Sequence, residues 1–141
     1  MQYAKSLILV DQSRQRNNLS SRLRMSQFKV ELALGGFHAL NLIENGEFDV
    51  VLIKNDQEDM SAKELVGLIR TRWDEKKLPS VVLMKNLTEE ENAEIIDFGA
   101  NFCFEASTDY IDVLKTLQTL VDEKVKNTKK KKGKKTVKPQ K

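Results

Sequence analysis

The chain has 141 residues, 40% hydrophobic and 32% charged, with one cysteine, one histidine and a formal charge of +3. That size and composition fit one globular domain, no run approaches the ~20 apolar residues that cross a bilayer, and a lone cysteine excludes an internal disulfide and a cysteine-built zinc site. The charge is divided unevenly: residues 126–141 hold nine lysines and no acid, which leaves 15 basic against 21 acidic residues in 1–125, a net of −6.

In chain order, the first five residues lead straight into an apolar run, 6–10, that ends at Asp11. They lack the longer apolar region and small-residue cleavage site of a secretory signal, so a reducing cytoplasm is the expected compartment. Leu19 and Leu23, four apart in a polar stretch starting near Ser13, mark a first helix. Residues 28–34 alternate as a second strand and stop at Gly35-Gly36, which lacks any following phosphate-binding pattern. Phe37, Leu40 and Ile43 trace a second helix, ended by Asn45-Gly46. Residues 49–53 form a third strand ending at Lys54. Leu65, Leu68, Ile69, Arg72 and Trp73 trace a third helix. Residues 81–84 make a fourth strand, and Thr88-Glu89-Glu90-Glu91 reads as a capping box: the Thr88 hydroxyl accepts from the Glu91 amide while the Glu91 carboxylate reaches back. Residues 102–104 form a fifth strand. Tyr110, Val113, Leu114, Leu117, Leu120 and Val121 give the last helix its apolar stripe.

Short Val/Ile/Leu runs suit strands buried on both faces, and strict alternation with helices predicts a parallel sheet with right-handed crossovers. The expected fold is a doubly wound (βα)5 flavodoxin-like α/β sandwich with strand order 2-1-3-4-5, its crevice at the carboxyl ends of the strands. Residues 1–125 form that domain. Residues 126–141 cannot bury apolar surface and are expected to be a disordered basic tail.

The order of these pieces resembles the receiver domain of CheY-like response regulators over nearly all of the body. Residues 7–11 resemble its first strand and acidic end, and 48–53 the approach to its phosphoacceptor. Met60-Ser61-Ala62 stands in the place of its Met-Asp-Gly, Leu78-Pro79 introduces the fourth strand, and Gly99-Ala100 precedes the fifth. The resemblance implies an aspartate nucleophile ending strand three, two acids after strand one that hold Mg²⁺, a hydroxyl ending strand four and a lysine ending strand five. This sequence departs at every one of those places. The nucleophile position is Lys54, the acid pair is Asp11 with Gln12, the hydroxyl position is Met84, and the lysine falls on Ala106, followed by Ser107. An ammonium repels Mg²⁺ and cannot displace phosphate while protonated. The expectation is a degenerate phosphorylation pocket, with no catalytic residue, metal or cofactor, in which Asp11 and Lys54 pair across the crevice. Asp56 or Asp59 could serve as acceptor only if one of them occupied the strand end.

Two functions follow. A phosphorylation-independent protein-interaction module would use the face of helix four, strand five and helix five, with Glu89, Glu90, Glu91, Glu94, Asp97, Cys103, Asp109 and Asp112 as candidates; it suits a basic partner or a homodimer. Alternatively, a nucleic-acid-associated regulator would bind polyanions, whether DNA, RNA or an anionic membrane surface, through Lys129, Lys130, Lys131, Lys132, Lys134 and Lys135. A true phospho-accepting regulator ranks last. His38, with no second His or Cys to join it, is expected to be a partly exposed helix residue rather than a metal ligand.

Overall fold

In a computed structural model, the described residues are 5–55, 58–106 and 110–133, with side chains described as far as Lys124. Ten elements alternate: β1 (Lys5–Val10), α1 (Arg16–Met25), β2 (Phe28–Ala33), α2 (Gly36–Asn45), β3 (Val50–Lys54), α3 (Ala62–Arg70), β4 (Ser80–Met84), α4 (Glu89–Phe98), β5 (Phe102–Glu105) and α5 (Tyr110–Gly133). The five strands are parallel in the order β2-β1-β3-β4-β5. This is the flavodoxin-like sandwich that the sequence predicts.

The apolar runs are continuous because alternate side chains enter two different cores. Ile8, Val10, Val51, Ile53 and Val82 pack under α2, α3 and α4 with Ile43, Leu65, Ile69 and Ile95. Leu7, Leu9, Val50, Leu52, Val81 and Leu83 pack under α1 and α5 with Leu19, Leu23, Val113, Leu117 and Val121. Only the edge strand β2 alternates, with Lys29 and Glu31 exposed.

Two capping boxes set helix starts. Thr88 and Glu91 exchange the expected pair of bonds at α4, and Ser61 with Glu64 does the same at α3. The start of α2 is capped from a distance: both oxygens of Asp59 accept amide protons, from Gly36 and Phe37, each at 3.0 Å. Those two bonds hold the Asp59 carboxyl below its ordinary pKa. A Cβ at Gly36 would collide with the Met60 side chain, so any larger residue there would force Met60 to shift.

The second helix lies where Phe37, Leu40 and Ile43 place it and ends before Gly46, its buried stripe running through Gly36, Ala39 and Ile43 and leaving Phe37 65% exposed. One expectation is corrected. The third helix ends at Arg70, so Arg72 and Trp73 lie beyond it, the Arg72 guanidinium 5.0 Å from the Trp73 ring. The last helix, α5, runs on to Gly133, since lysine is a good helix former and no proline or glycine intervenes before that residue. Residues 134–141, including Lys134 and Lys135, lie outside the described residues.

Candidate functional site

The carboxyl ends of β1, β3, β4 and β5 bring Asp11, Lys54, Met84 and Ala106 to one edge of the sheet. Asp11 follows β1, its amide donating to the Ala33 carbonyl at 3.0 Å, and its side chain is fully buried. Its Oδ1 accepts from the Ser13 amide at 2.8 Å, and among the described residues its Oδ2 has no hydrogen-bond partner. Lys54 ends β3 half-buried, and its Nζ donates to the Ser13 hydroxyl at 3.0 Å. Ser13 therefore bridges the two charges, its backbone serving the acid and its side chain the cation.

The expected direct pair between Asp11 and Lys54 is absent from the ion pairs of the described residues, which join Lys5 to Asp122, Lys63 to Glu94, Arg72 to Glu44 and Lys124 to Asp49. The sequence reading missed Ser13 because it lies beyond the strand, where periodicity carries no signal. Its placement two residues after a strand-end aspartate, the spacing of an Asx turn, was the available clue.

The remaining positions line the same edge. Gln12 is exposed, and its Oε1 accepts from the Glu58 amide at 2.7 Å, tying the loop after β3 to the loop after β1. Met84 and Ala106 are half-buried and joined through the backbone, Ala106 N to Met84 O at 2.7 Å. Asp59, one of the two alternative acceptors, is held at the start of α2; Asp56 and Ser107 lie outside the described residues.

A magnesium ion is what this fold would bring to the cleft, and the residues present do not fit it. Among the described residues Asp11 is the buried carboxylate of the cleft, the Gln12 amide oxygen is already engaged, and the Lys54 ammonium shares the space. Hard divalent cations need several oxygen ligands and no neighbouring cation. Among the described residues no three of His, Cys, Asp and Glu gather as a metal site. His38 is exposed on α2, its Nδ1 accepting from the Leu34 amide at 3.2 Å.

The opposite flank of the sheet carries the acidic candidates. Glu89, Glu90, Glu94 and Asp97 are exposed on α4, Glu91 is half-buried in its capping box, and Asp112 is exposed in the first turn of α5. Asp109 lies outside the described residues. Ile96, Phe98, Phe102 and Ile111 are exposed apolar side chains of the same three elements, with the Phe98 ring turned to α3, 5.8 Å from the Lys63 ammonium. Phe102 stacks along β5 on Phe104, ring centroids 6.4 Å apart.

Cys103 points the other way, packing against the core under α4. Burial first, and the Glu91 charge second, push its thiol up to about 11. At pH 8 its thiolate fraction is then about a hundredfold below that of an ordinary cysteine. Labelling with a maleimide or aromatic disulfide in the native protein should be slower by about that factor, and should reach the ordinary rate in urea. Labelling as fast native as unfolded would contradict this.

No protein-family model matches the chain, and no curated protein matches it in sequence. Solved structures do. A CheY-like response-regulator receiver domain from Methanospirillum hungatei superimposes with a TM-score of 0.78 at 20% identity, covering 89% of this chain and 99% of that one. The receiver domain of the sensor histidine kinase PA1611 from Pseudomonas aeruginosa, which holds a magnesium ion in its active-site cleft, gives 0.76 at 16% identity over 85% and 99%. The co-crystal of the Saccharomyces cerevisiae phosphotransfer protein Ypd1 with the receiver domain of its downstream response regulator Ssk1 gives 0.76 at 17% over 84% and 90%. The chain has the fold of the CheY-like receiver domains of two-component signalling, with a lysine, a glutamine, a methionine and an alanine at the edge of the sheet where its cleft lies.

Proposed function

We propose that this chain is a receiver-fold interaction module that works without phosphorylation and without acting as an enzyme. The observation that supports this best is the Lys54–Ser13–Asp11 chain of hydrogen bonds. It puts an ammonium at the end of β3, where phosphoryl transfer needs a carboxylate nucleophile, and it ties the ends of β1 and β3 together with no ligand. A hydrogen-bonded bridge between two strand ends favours one arrangement of the cleft, so the partner surface would not wait on a phosphoryl signal.

The partner surface in this reading is α4 with β5 and the start of α5. Its exposed apolar side chains Ile96 and Phe102, with the acids Glu89, Glu90 and Asp97, suit a protein that offers an apolar patch within a basic border. Glu94 contributes less, because the Lys63 ammonium sits 2.9 Å from it.

The test is capture from native cells with the full chain and with Glu89→Lys/Glu90→Lys/Asp97→Lys, each with and without acetyl phosphate and magnesium, with far-UV circular dichroism to verify folding. The reading expects partners recovered by the native chain, lost by the reversal variant and unchanged by the phosphodonor. Partners that bind only after phosphodonor treatment, or that ignore the reversal, would overturn it. A dimer in light scattering that the same substitutions dissolve would identify the partner as a second copy.

A further inference from the structure

We propose that α1 carries a second docking face, which takes the acidic α4 face of another copy of this chain, so that copies join head to tail. This rests on the reading of α4 with β5 as a partner surface, and supplies the partner. Between Gln12 and Phe28 stand Arg14, Arg16, Arg22 and Arg24 and no acid, although residues 1–125 as a whole carry a net of −6. Arg14, Arg22 and Arg24 are exposed. Among the described residues, the arginines of this segment touch uncharged groups. Arg16 Nη1 donates to the Ser13 carbonyl at 3.0 Å, Arg24 Nη2 reaches the Val30 carbonyl at 3.4 Å, and the Arg22 guanidinium lies 5.5 Å from the Tyr110 ring. None of them enters an ion pair of the described residues.

Leu19, Ser20 and Leu23 are buried against the sheet, with Arg16 half-buried beside them. At ~100° per residue, Met25 points the opposite way, with Arg22 ~60° to one flank and Arg24 ~100° to the other. Met25 is 83% exposed, so a long apolar side chain stands in water between two guanidinium groups. Methionine and arginine together are the composition of a protein contact. A polyphosphate has no use for the thioether, and the net negative charge of the body repels it. An apolar patch within a basic border is what the α4 surface suits, and α1 offers one.

The exposed side of α4 is the complement. Glu90 and Asp97, seven apart, share one line along the helix, Glu89 and Ile96 share the next, and the exposed Ala93 lies between the two lines. The small Ala93 side chain leaves room for Met25 beside Ile96, with carboxylates on both sides for Arg22 and Arg24. Guanidinium–carboxylate pairs of this kind fix orientation as well as attraction. Within one copy the two faces look in opposite directions, because α1 packs on one side of the sheet with α5 and α4 on the other with α2 and α3. Two copies therefore cannot make both contacts at once across a two-fold axis. The contact is heterologous and repeats into a chain or a ring.

The test is sedimentation velocity of the full chain from about 5 µM to about 1 mM, in about 50 mM and about 500 mM salt. Particles that grow with concentration are expected, with a contact Kd on the order of 10 µM that weakens about tenfold at the higher salt. Arg14→Gln/Arg22→Gln/Arg24→Gln and Glu89→Gln/Glu90→Gln/Asp97→Asn should each stay monomeric alone, their folding verified by far-UV circular dichroism. Mixed one to one, they keep one intact face each and should form a dimer and nothing larger. Met25→Asp, which alters no packed side chain, should weaken the contact about tenfold. A native chain monomeric throughout, an arginine variant that associates as strongly as the native chain, or two variants that do not combine would overturn the proposal. A monomeric native chain that still captures cellular partners through α4 would end the self-association alone and leave the reading of that surface standing. Loss of such partners in the arginine variant would assign α1 to a different acidic protein and overturn the proposal as well. Association that appears only with acetyl phosphate and magnesium would support the contact and sink the phosphorylation-independent reading.

Discussion

Arg70→Ala is expected to lower the unfolding free energy by about 3 kcal/mol, a large share of what a domain of this size holds in reserve. The half-buried guanidinium ends α3 and spends its donors on four groups: the carbonyls of Gly99 (2.8 Å), Trp73 (3.1 Å) and Leu78 (3.0 Å), and the Asn101 side-chain oxygen (3.0 Å). One side chain thus joins the turn after α3, the approach to β4 and the turn before β5. Asn101 passes the tie onward, accepting from the Ser80 amide at 2.9 Å. Truncation removes a donor from all four acceptors, leaving Asn101 and the Leu78 carbonyl only their bonds from Ser80, and opens space beside Gly99, which has a φ of +120° and so close an approach to the Arg70 stem that a Cβ would collide with it. Arg70→Lys keeps the charge but cannot span a planar fork of acceptors, and should still cost about 2 kcal/mol. Urea unfolding followed by the fluorescence of Trp73 checks both. A loss below ~1 kcal/mol for the alanine variant would show that water replaces the guanidinium at little cost.

Lys54→Asp is expected to destabilise the chain by about 2 kcal/mol in the absence of divalent ions and to make its stability depend on magnesium, which the native chain should ignore. Asp11 is fully buried. Replacing the ammonium that reaches it through Ser13 by a second carboxylate removes an attraction and adds a repulsion, each about 1 kcal/mol at ~8 Å with an effective dielectric near ~40 in this half-exposed cleft. A divalent cation that bound the new pair at a hundred times its dissociation constant would return about 2.7 kcal/mol. Thermal unfolding of native and variant chains, each with magnesium or with a chelator, measures the difference. Native protein stabilised by magnesium as strongly as the variant would mean that Lys54 does not control the cleft.

The sheet was readable from sequence because both of its faces are buried. Runs such as 50–53 cannot be amphipathic, and their lengths suit strands rather than helices. The Thr88 cap was readable because its partner is three residues away. What escaped the sequence acts over distance or depends on the backbone. Asp59 caps a helix that starts 23 residues earlier. Arg70 is an ordinary helix residue in sequence, and only the fold carries three carbonyls to its fork. Phe37 reads as core by type, yet Ala39 and Ile43 set the buried stripe on the other side of it. At the cleft, the four replaced positions were legible one by one, while the way they combine was not: Ser13 stands between Asp11 and Lys54 and turns an expected ion pair into a bridge.

Adding beryllofluoride and magnesium to the isotope-labelled chain, and following the amide resonances of residues 11–13, 54, 84 and 106, probes the cleft directly. An ammonium at the end of β3 gives the fluoride complex no carboxylate to join, so these resonances should stay where they are at saturating reagent, and mass spectrometry should find no adduct with a small phosphodonor. A slow-exchange shift confined to those residues, with a stoichiometric phosphoryl adduct on an aspartate, would contradict the account.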